Sequence, residues 1–429
     1  MLDIKLFREK PARIKRSEKK RGHDLRAVDD VIKLDKKWRE TILALDKLKH
    51  RRNVVSEEIN ELKKSGKSAA AKIKMMKKVV ADINYKTKMA KDYFLKRELA
   101  RKEVGNILHP SVPKGKDDSN NKPIKFVGKK PKFSFKPRDH VEIGKLCDLF
   151  EFETAANVAG ARFFYLKNEA ALLDMALQRY AVDFLVKNGF SMHWVPMMMN
   201  RAALACGVNV CEFADTIYKI EDEDLHLIGT SEHPLIALRR NTLFYESDLP
   251  MKIGGISSCF RKEAGTHGED DKGVFRVHQF NKIEQVVYCK PEDSERYFKE
   301  LQANAEAMFK SLGVPFRVVN ICTGDLGNKQ SLQYDIEAWM PGQADGKGRY
   351  REVTSCSNCL SYQSEATNTK YVTKQGDKEY VHMLNSTGIA TPRAIIPILE
   401  NFQQKDGSVK IPRALWKYTG FKKIKVKKK

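Results

Sequence analysis

The chain has 429 residues, 41% of them hydrophobic, and its 79 Lys+Arg against 55 Asp+Glu give a formal charge of +24. That length allows two or three domains with at least one large core, and the charge predicts a polyanionic partner, nucleic acid above all. No apolar run reaches the ~18 to 20 residues that cross a bilayer, the start MLDIKLFREK has no apolar signal core, and eight scattered cysteines do not make a secreted disulfide framework. A soluble, intracellular protein with reduced thiols and no membrane partner is expected.

The charge is concentrated near the start, where residues 1–116 hold 34 Lys+Arg and 16 Asp+Glu. Residues 1–28 predict a short strand and a helix. From about Asp29 a helical pattern runs to Pro110, broken near Ser65-Gly66. Leu34, Trp38, Thr41, Leu45, Leu48, Arg52, Val55, Ile59 and Leu62 follow heptad spacing before the break. Met76, Val80, Ile83, Thr87, Ala90, Phe94, Arg97, Arg101, Val104 and Leu108 follow it afterwards. Two such helices, at about 29–64 and 70–108, predict an antiparallel coiled-coil arm. A spacer needs no charge of one sign, whereas an arm that touches a phosphate backbone does; the basic excess favours the second reading.

Residues 111–139, dense in Pro, Gly, Lys and Asn, read as a linker between an N-terminal domain (1–110) and a globular domain (140–420). A basic tail (421–429) follows, and reads as a solvated appendage. In the globular part a long helix is expected from Glu169 to Asn188, then a strand meeting Val195-Pro196. Proline there demotes the strand to an edge or an interface. Further strands and hairpins outnumber strand–helix alternations, so the fold class is α+β: an antiparallel sheet flanked by helices.

One hairpin stands out, from Ile253 to Val287. Arg261 and Glu263 are two apart and share a face; so do Arg276, His278, Phe280, Lys282 and Glu284 on the second run, with Val277 and Ile283 opposite. That face is too charged for a core. Elsewhere there is no GxGxxG, no complete P-loop and no Gly-x-Ser-x-Gly. Cys356 and Cys359 form one CxxC without a second pair, which reads as a turn, and no zinc is expected. Nucleotide binding, if present, must use charged side chains on a sheet.

With these motifs in order, the chain resembles the seryl-tRNA synthetases, a family of class II aminoacyl-tRNA synthetases. The resemblance rests on the basic helical hairpin, the stretch ending in Pro196, Phe260-Arg261-Lys262-Glu263 with Arg276-Val277-His278-Gln279-Phe280, and Gly388-Ile389-Ala390-Thr391-Pro392-Arg393. It is sharpened by Thr230-Ser231-Glu232, Phe280-Asn281-Lys282-Ile283-Glu284, Arg351-Glu352-Val353-Thr354-Ser355-Cys356-Ser357-Asn358 and Asn385-Ser386-Thr387. It implies a cytoplasmic homodimer that activates L-serine with ATP and charges tRNA(Ser), bound through the arm; tRNA(Sec) stays open.

The resemblance implies roles that suit the residues. Arg261, Arg276 and Arg393 are the catalytic cations for the phosphates. Lys262, Glu263, Val277, Phe280, Glu352, Val353, Thr354 and Ser355 complete the ATP site, with Phe280 a stacking face for adenine and Glu352 and Ser355 oxygen donors for Mg2+. Thr230, Ser231, Glu232, Lys282, Glu284, Asn385 and Thr387, with Arg261, form the serine site. A paralogue that charges a carrier would be expected to lose or shorten the arm, and a non-catalytic RNA-binding relative to lose Arg261, Glu284 or Arg393. Two departures from the family are visible: Glu269, Asp270 and Asp271 make its usually basic loop acidic, and Gln363-Ser364-Glu365-Ala366 replaces Gln-Ala-Arg-Arg.

Overall fold

The computed structural model describes residues 1–208, 216–263 and 272–427. The acidic loop with Glu269, Asp270 and Asp271, Cys211 and the last two residues of the tail lie outside the described residues. The chain divides into two units, Met1–Ile107 and Leu108–Lys429.

In the first unit, residues 1–28 form no strand. They make helices α1 (Ile4–Glu9) and α2 (Pro11–Arg21), with Asp3 capping α1 and Pro11 at the first position of α2, where its missing N–H costs nothing. Helices α3 (Arg26–Lys64) and α4 (Ala70–Glu103) then pair as the expected hairpin, with α4 ending five residues before the expected Leu108. At 1.5 Å per residue they are roughly 58 and 51 Å long. Val31, Thr41, Leu45 and Val55 of α3 and Val79 and Ala90 of α4 are buried along the seam. Lys63, Lys64, Lys67, Lys74, Lys77 and Lys78, at the far end, are exposed.

Arg97 and Arg101 interrupt the apolar heptads of the sequence, yet both are buried. The reason is Asp35, itself buried, which takes Nη1 of Arg97 at 2.9 Å, Nε and Nη2 of Arg8 at 2.8 Å each, and Nε of Arg39 at 3.0 Å. The Arg97 guanidinium also lies over the rings of Trp38 (4.7 Å) and Phe94 (4.9 Å), and Arg101 donates to the Leu2 carbonyl at 2.7 Å. Burial by itself would raise the Asp35 carboxyl, but the guanidiniums, Arg8 foremost, hold it below its ordinary value.

The second unit is built on an eight-stranded sheet. Its strands are β1 (Lys122–Val127), β2 (Ser191–Trp194), β3 (Met251–Phe260), β4 (Gln279–Cys289), β5 (Phe316–Asn320), β6 (Leu332–Met340), β7 (Arg349–Asn358) and β8 (His382–Ala390), in the spatial order β1-β5-β6-β7-β8-β4-β3-β2. Every neighbouring pair is antiparallel except β2–β3. β2, just before Val195-Pro196, is an edge strand, as the proline predicts. The segment read as a linker supplies β1 at the other edge, pairing with β5 through a register shift at Pro123; proline is tolerated there because an edge leaves one row of N–H groups unneeded.

Helices α5 (His140–Cys147), α6 (Asn168–Lys187), α8 (Ser294–Ser311) and α10 (Thr391–Asn401) help enclose the main core. Ile283, Val287 and Cys289 of β4 pack there with Leu173, Leu177, Phe298, Leu301, Ile395 and Ile398. The alternate residues of β4 face the other way. Val286 and Tyr288 join a smaller core with Leu235 and Ile236 of the short helix α7 (Glu232–Ala237), while Phe280, Lys282 and Glu284 are left to line a cleft.

Asp35→Ala would leave the buried Arg97 without a carboxylate. We expect a loss of about 3 to 5 kcal/mol in the N-terminal unit, read as earlier melting of helical circular dichroism in the full chain, with the core of the second unit keeping its hydrogen-exchange protection.

Candidate active site

Two irregularities in the sheet assemble the cleft. Glu352 and Ser355 are three apart and would face opposite ways on a regular strand. On β7 the register slips between Ile336–Thr354 and Glu337–Glu352, so Val353 is an extra, unpaired residue. Its side chain joins the core, and Glu352 and Ser355 both reach the cleft. On β8 the same slip falls at Gly388. Asn385 and Thr387 face the cleft before it and Ala390 after it, while Ile389 enters the core. A Cβ at Gly388 would sit 3.1 Å from the Ile283 carbonyl oxygen. Gly255 on β3 has a related task, since a Cβ there would lie 2.8 Å from the Ser231 Cβ. Its absence lets the turn Thr230-Ser231-Glu232 lie against the sheet.

Thr230, Glu232, Arg261, Phe280, Lys282, Glu284, Glu352, Val353, Ser355, Asn385, Thr387 and Arg393 line this cleft together. The Glu232 carboxylate is buried. Its Oε1 accepts from Lys329 Nζ at 2.5 Å, Gln363 Nε2 at 2.8 Å and Asn385 Nδ2 at 3.3 Å. Burial opposes its charge most, but its neighbours together, Lys329 foremost, outweigh that and bring the carboxyl down to about 2. Lys282 Nζ donates to Thr230 Oγ1 at 3.1 Å and lies 2.6 Å from Glu284 Oε2, an ion pair off the line of a hydrogen bond. Glu284 moves the other way: burial, joined by the negative charge of Glu232, raises its carboxyl against the pull of Lys282. His233, beside Glu232, is pushed down to about 3 by burial and stays neutral.

Elsewhere in the lining, Arg261 donates Nε to the Gly229 carbonyl at 3.1 Å and lies 5.2 Å from the Phe280 ring centroid. Arg393 pairs with Glu352 at 3.0 Å and lies 4.8 Å from the Phe275 ring, which Arg351 also covers at 4.0 Å. Asp335 on β6 is paired in register with Ser355. It is buried, and burial together with the charge of Glu352 holds its carboxyl well above the ordinary range.

Other expected residues stand apart from the lining. β3 ends at Phe260, so Arg261 and Glu263 do not share a strand face as their spacing predicts. Glu263 has φ 48°, and its carboxylate meets Arg276 at 3.5 Å. Arg276 and Val277 precede β4, and Val277 is buried in the main core. Ser231 and Thr354 are buried. Lys262 lies 5.9 Å from the Tyr218 ring and lines a separate depression with Arg201, Lys219 and His226. His278 is structural: Phe163 stacks on it at 5.0 Å, and Tyr218 and the Arg261 carbonyl bind its Nδ1.

Sequence reasoning gave no site role to Lys329, Gln330, Ser357, Gln363, Asp335 or Phe275. Gln363 lies on helix α9 (Tyr362–Thr367) and is the residue of Gln363-Ser364-Glu365-Ala366 that keeps the family's first position, so the departure did not single it out. Lys329 and Gln330 lie between β5 and β6, where no periodicity places a side chain.

Two family descriptions match the chain: the seryl-tRNA synthetase N-terminal domain over residues 1–108, and the class II tRNA synthetase core domain (G, H, P, S and T) over residues 217–402. The serine–tRNA ligase of Pyrococcus horikoshii is 44% identical over 453 residues, covering 99% of this chain and 97% of its own length. The chain belongs to the seryl-tRNA synthetases. Among solved members of that family, the P. horikoshii seryl-tRNA synthetase complexed with ATP superposes with a TM-score of 0.93 at 42% identity, over 100% of both chains. The cytoplasmic serine–tRNA ligase of Naegleria fowleri in complex with AMP gives 0.89 at 35%, over 100% of this chain and 99% of that one. The α+β fold expected from the hairpins is the synthetase fold.

A carboxylate whose folded pKa is depressed contributes stability above its unfolded pKa and loses it as the pH falls through the folded one. For Glu232 that window runs from the ordinary carboxylate range down to about 2. The stability difference between the native chain and Glu232→Gln should therefore be full above pH ~5 and shrink towards pH ~2, measured by urea unfolding of the catalytic unit across that range.

Proposed function

We propose that this chain is an ATP-dependent serine–tRNA ligase that joins serine to ATP as seryl-adenylate, releases pyrophosphate, and transfers serine to the 3′-terminal ribose of tRNA(Ser). The observation that carries the reading is a buried pocket with two carboxylates and two ammonium groups, opening directly onto Arg261, Glu352 and Arg393. Such a pocket suits a small polar zwitterion, and its mouth suits a polyphosphate.

The serine carboxylate is already an anion, so activation needs alignment and charge neutralisation rather than a protein base. Arg261 and Lys282 hold that carboxylate towards the α-phosphate; Arg276 and Arg393 take the outer phosphates. Adenine stacks on Phe280, with the planar Arg393 a second face, and Glu263 accepts from its amino group. Glu232 and Glu284 between them receive the serine ammonium and hydroxyl, with Thr230, Asn385 and Thr387. A site built on hydrogen bonds to a hydroxyl rejects alanine by up to about 10⁴.

Glu352 and Ser355 fit a magnesium ion: they are hard oxygen donors turned to one side by the Val353 bulge, and the Asp335 carboxyl beside them leaves Glu352 in a neighbourhood that a divalent cation relieves. Held by Glu352 and Ser355, Mg2+ would supply positive charge that offsets the charge of the phosphates.

Two further parts of the reading have support on the surface. Trp194 of β2 is 73% exposed and Met175 and Val186 of α6 are 66% and 56% exposed, an apolar edge suited to a second subunit. The lysines at the far end of the hairpin suit the phosphates of a tRNA, which we place on the partner subunit.

Pyrophosphate exchange across the amino acids tests the first step, and serine should be the amino acid that supports it. Excising residues 46–86 with a short Gly–Ser turn keeps Asp35 and Arg97 in place. This variant should retain serine-dependent exchange while charging of tRNA falls roughly 100-fold or more; loss of exchange as well would refute the modular reading. Trp194→Asp should sediment as a monomer at concentrations where the native chain is a dimer.

A further inference from the structure

Lys329 belongs to the segment between β5 and β6 and meets the buried Glu232. Its ammonium is 2.5 Å from Glu232 Oε1, on the same oxygen that receives Gln363 and Asn385. Glu284 differs in its partners. One ammonium, Lys282, stands 2.6 Å from its Oε2, and that same ammonium also donates to Thr230.

The two carboxylates of the pocket are therefore not equivalent. Glu232 has an ammonium and two amide donors converging on one oxygen, so a second cation beside it would gain little and would meet Lys329. A hydroxyl needs only an acceptor lone pair, which a paired carboxylate still offers. Glu284 shares its cation with Thr230 and the substrate carboxylate, and keeps charge for an ammonium.

We propose that Lys329 is a positioning residue that decides which side chain the pocket accepts: it fixes Glu232 as the acceptor for the substrate hydroxyl and leaves Glu284 to take the α-ammonium. The inference rests on the serine-site reading above. It implies a specific exclusion. In 2,3-diaminopropionate an ammonium replaces the serine hydroxyl with little change in size, and Lys329 repels it; without Lys329 the buried Glu232 lacks a cation, which that ammonium can supply and a hydroxyl cannot.

The test is pyrophosphate exchange with serine and with 2,3-diaminopropionate, for the native chain, Lys329→Met and Lys329→Arg. We expect Lys329→Met to raise the KM for serine roughly tenfold or more with the KM for ATP unchanged. The kcat/KM ratio of diaminopropionate to serine should rise by at least about tenfold, and Lys329→Arg should restore most of the native preference. A Lys329→Met enzyme with the native ratio overturns the proposal. If that variant does not fold, Lys329→Gln, which keeps a hydrogen-bond donor without the charge, must shift the ratio in the same direction, and an unchanged ratio there overturns it equally. A native chain without serine-dependent exchange would instead refute the serine-site reading, so the two failures are told apart.

Discussion

Two carboxylates enclosed in one pocket can remain charged only if each has a cation at hand, because burial penalises an isolated charge heavily. That constraint organises the second unit. Lys282 and Glu284 come from one strand, two residues apart, so the pleat itself sets them side by side. Glu232 comes from the start of α7, Lys329 from a connection, Gln363 from α9 and Asn385 from β8. Four separate segments must arrive together for one carboxylate to stay ionised. The pocket is thus a product of tertiary structure far more than of any one motif: Lys329 heads the groups that lower Glu232, while burial and the charge of Glu232 raise Glu284 against Lys282.

What could be read in advance follows the same physics. Phe280, Lys282 and Glu284 were legible because a strand alternates and charged residues on every second position signal a functional face. The helical hairpin was legible through its heptads, but not the burial of Arg97 and Arg101, since Asp35 is 62 residues away from Arg97 in sequence. Glu352 and Ser355 required the family resemblance, because strict alternation puts them on opposite faces and nothing in the sequence announces the Val353 bulge. Asp335 and Lys329 were illegible for a related reason: one reads as a strand residue among others, and the other sits where the chain has no period. The expected strand near the N-terminus failed because residues 4–21 carry a helix cap and a helix-starting proline, both weaker signals than a run of apolar residues.

The first unit separates structure from charge along its length. Its base is held by guanidiniums paired to a single buried aspartate, and its far end carries exposed lysines. Arginine suits the former task, with a planar fork that can donate to one carboxylate from several directions, and lysine the latter, as a hydrated point charge on a long stem.

The edge strand β1 carries a consequence for anyone who cuts this protein into pieces. The sheet it closes would otherwise end at β5, a run of Phe316, Val318 and Val319 with a free row of backbone donors and acceptors. β1 pairs with that row and presents Lys122, Pro123 and Lys125 outward, residues that discourage a further strand from adding on. A fragment begun at the first residue of α5 would look complete by composition and would keep the whole cleft. It would nevertheless have shed its guard against self-association, and should be soluble only when it starts early enough to include the proline-rich stretch that composition alone would discard.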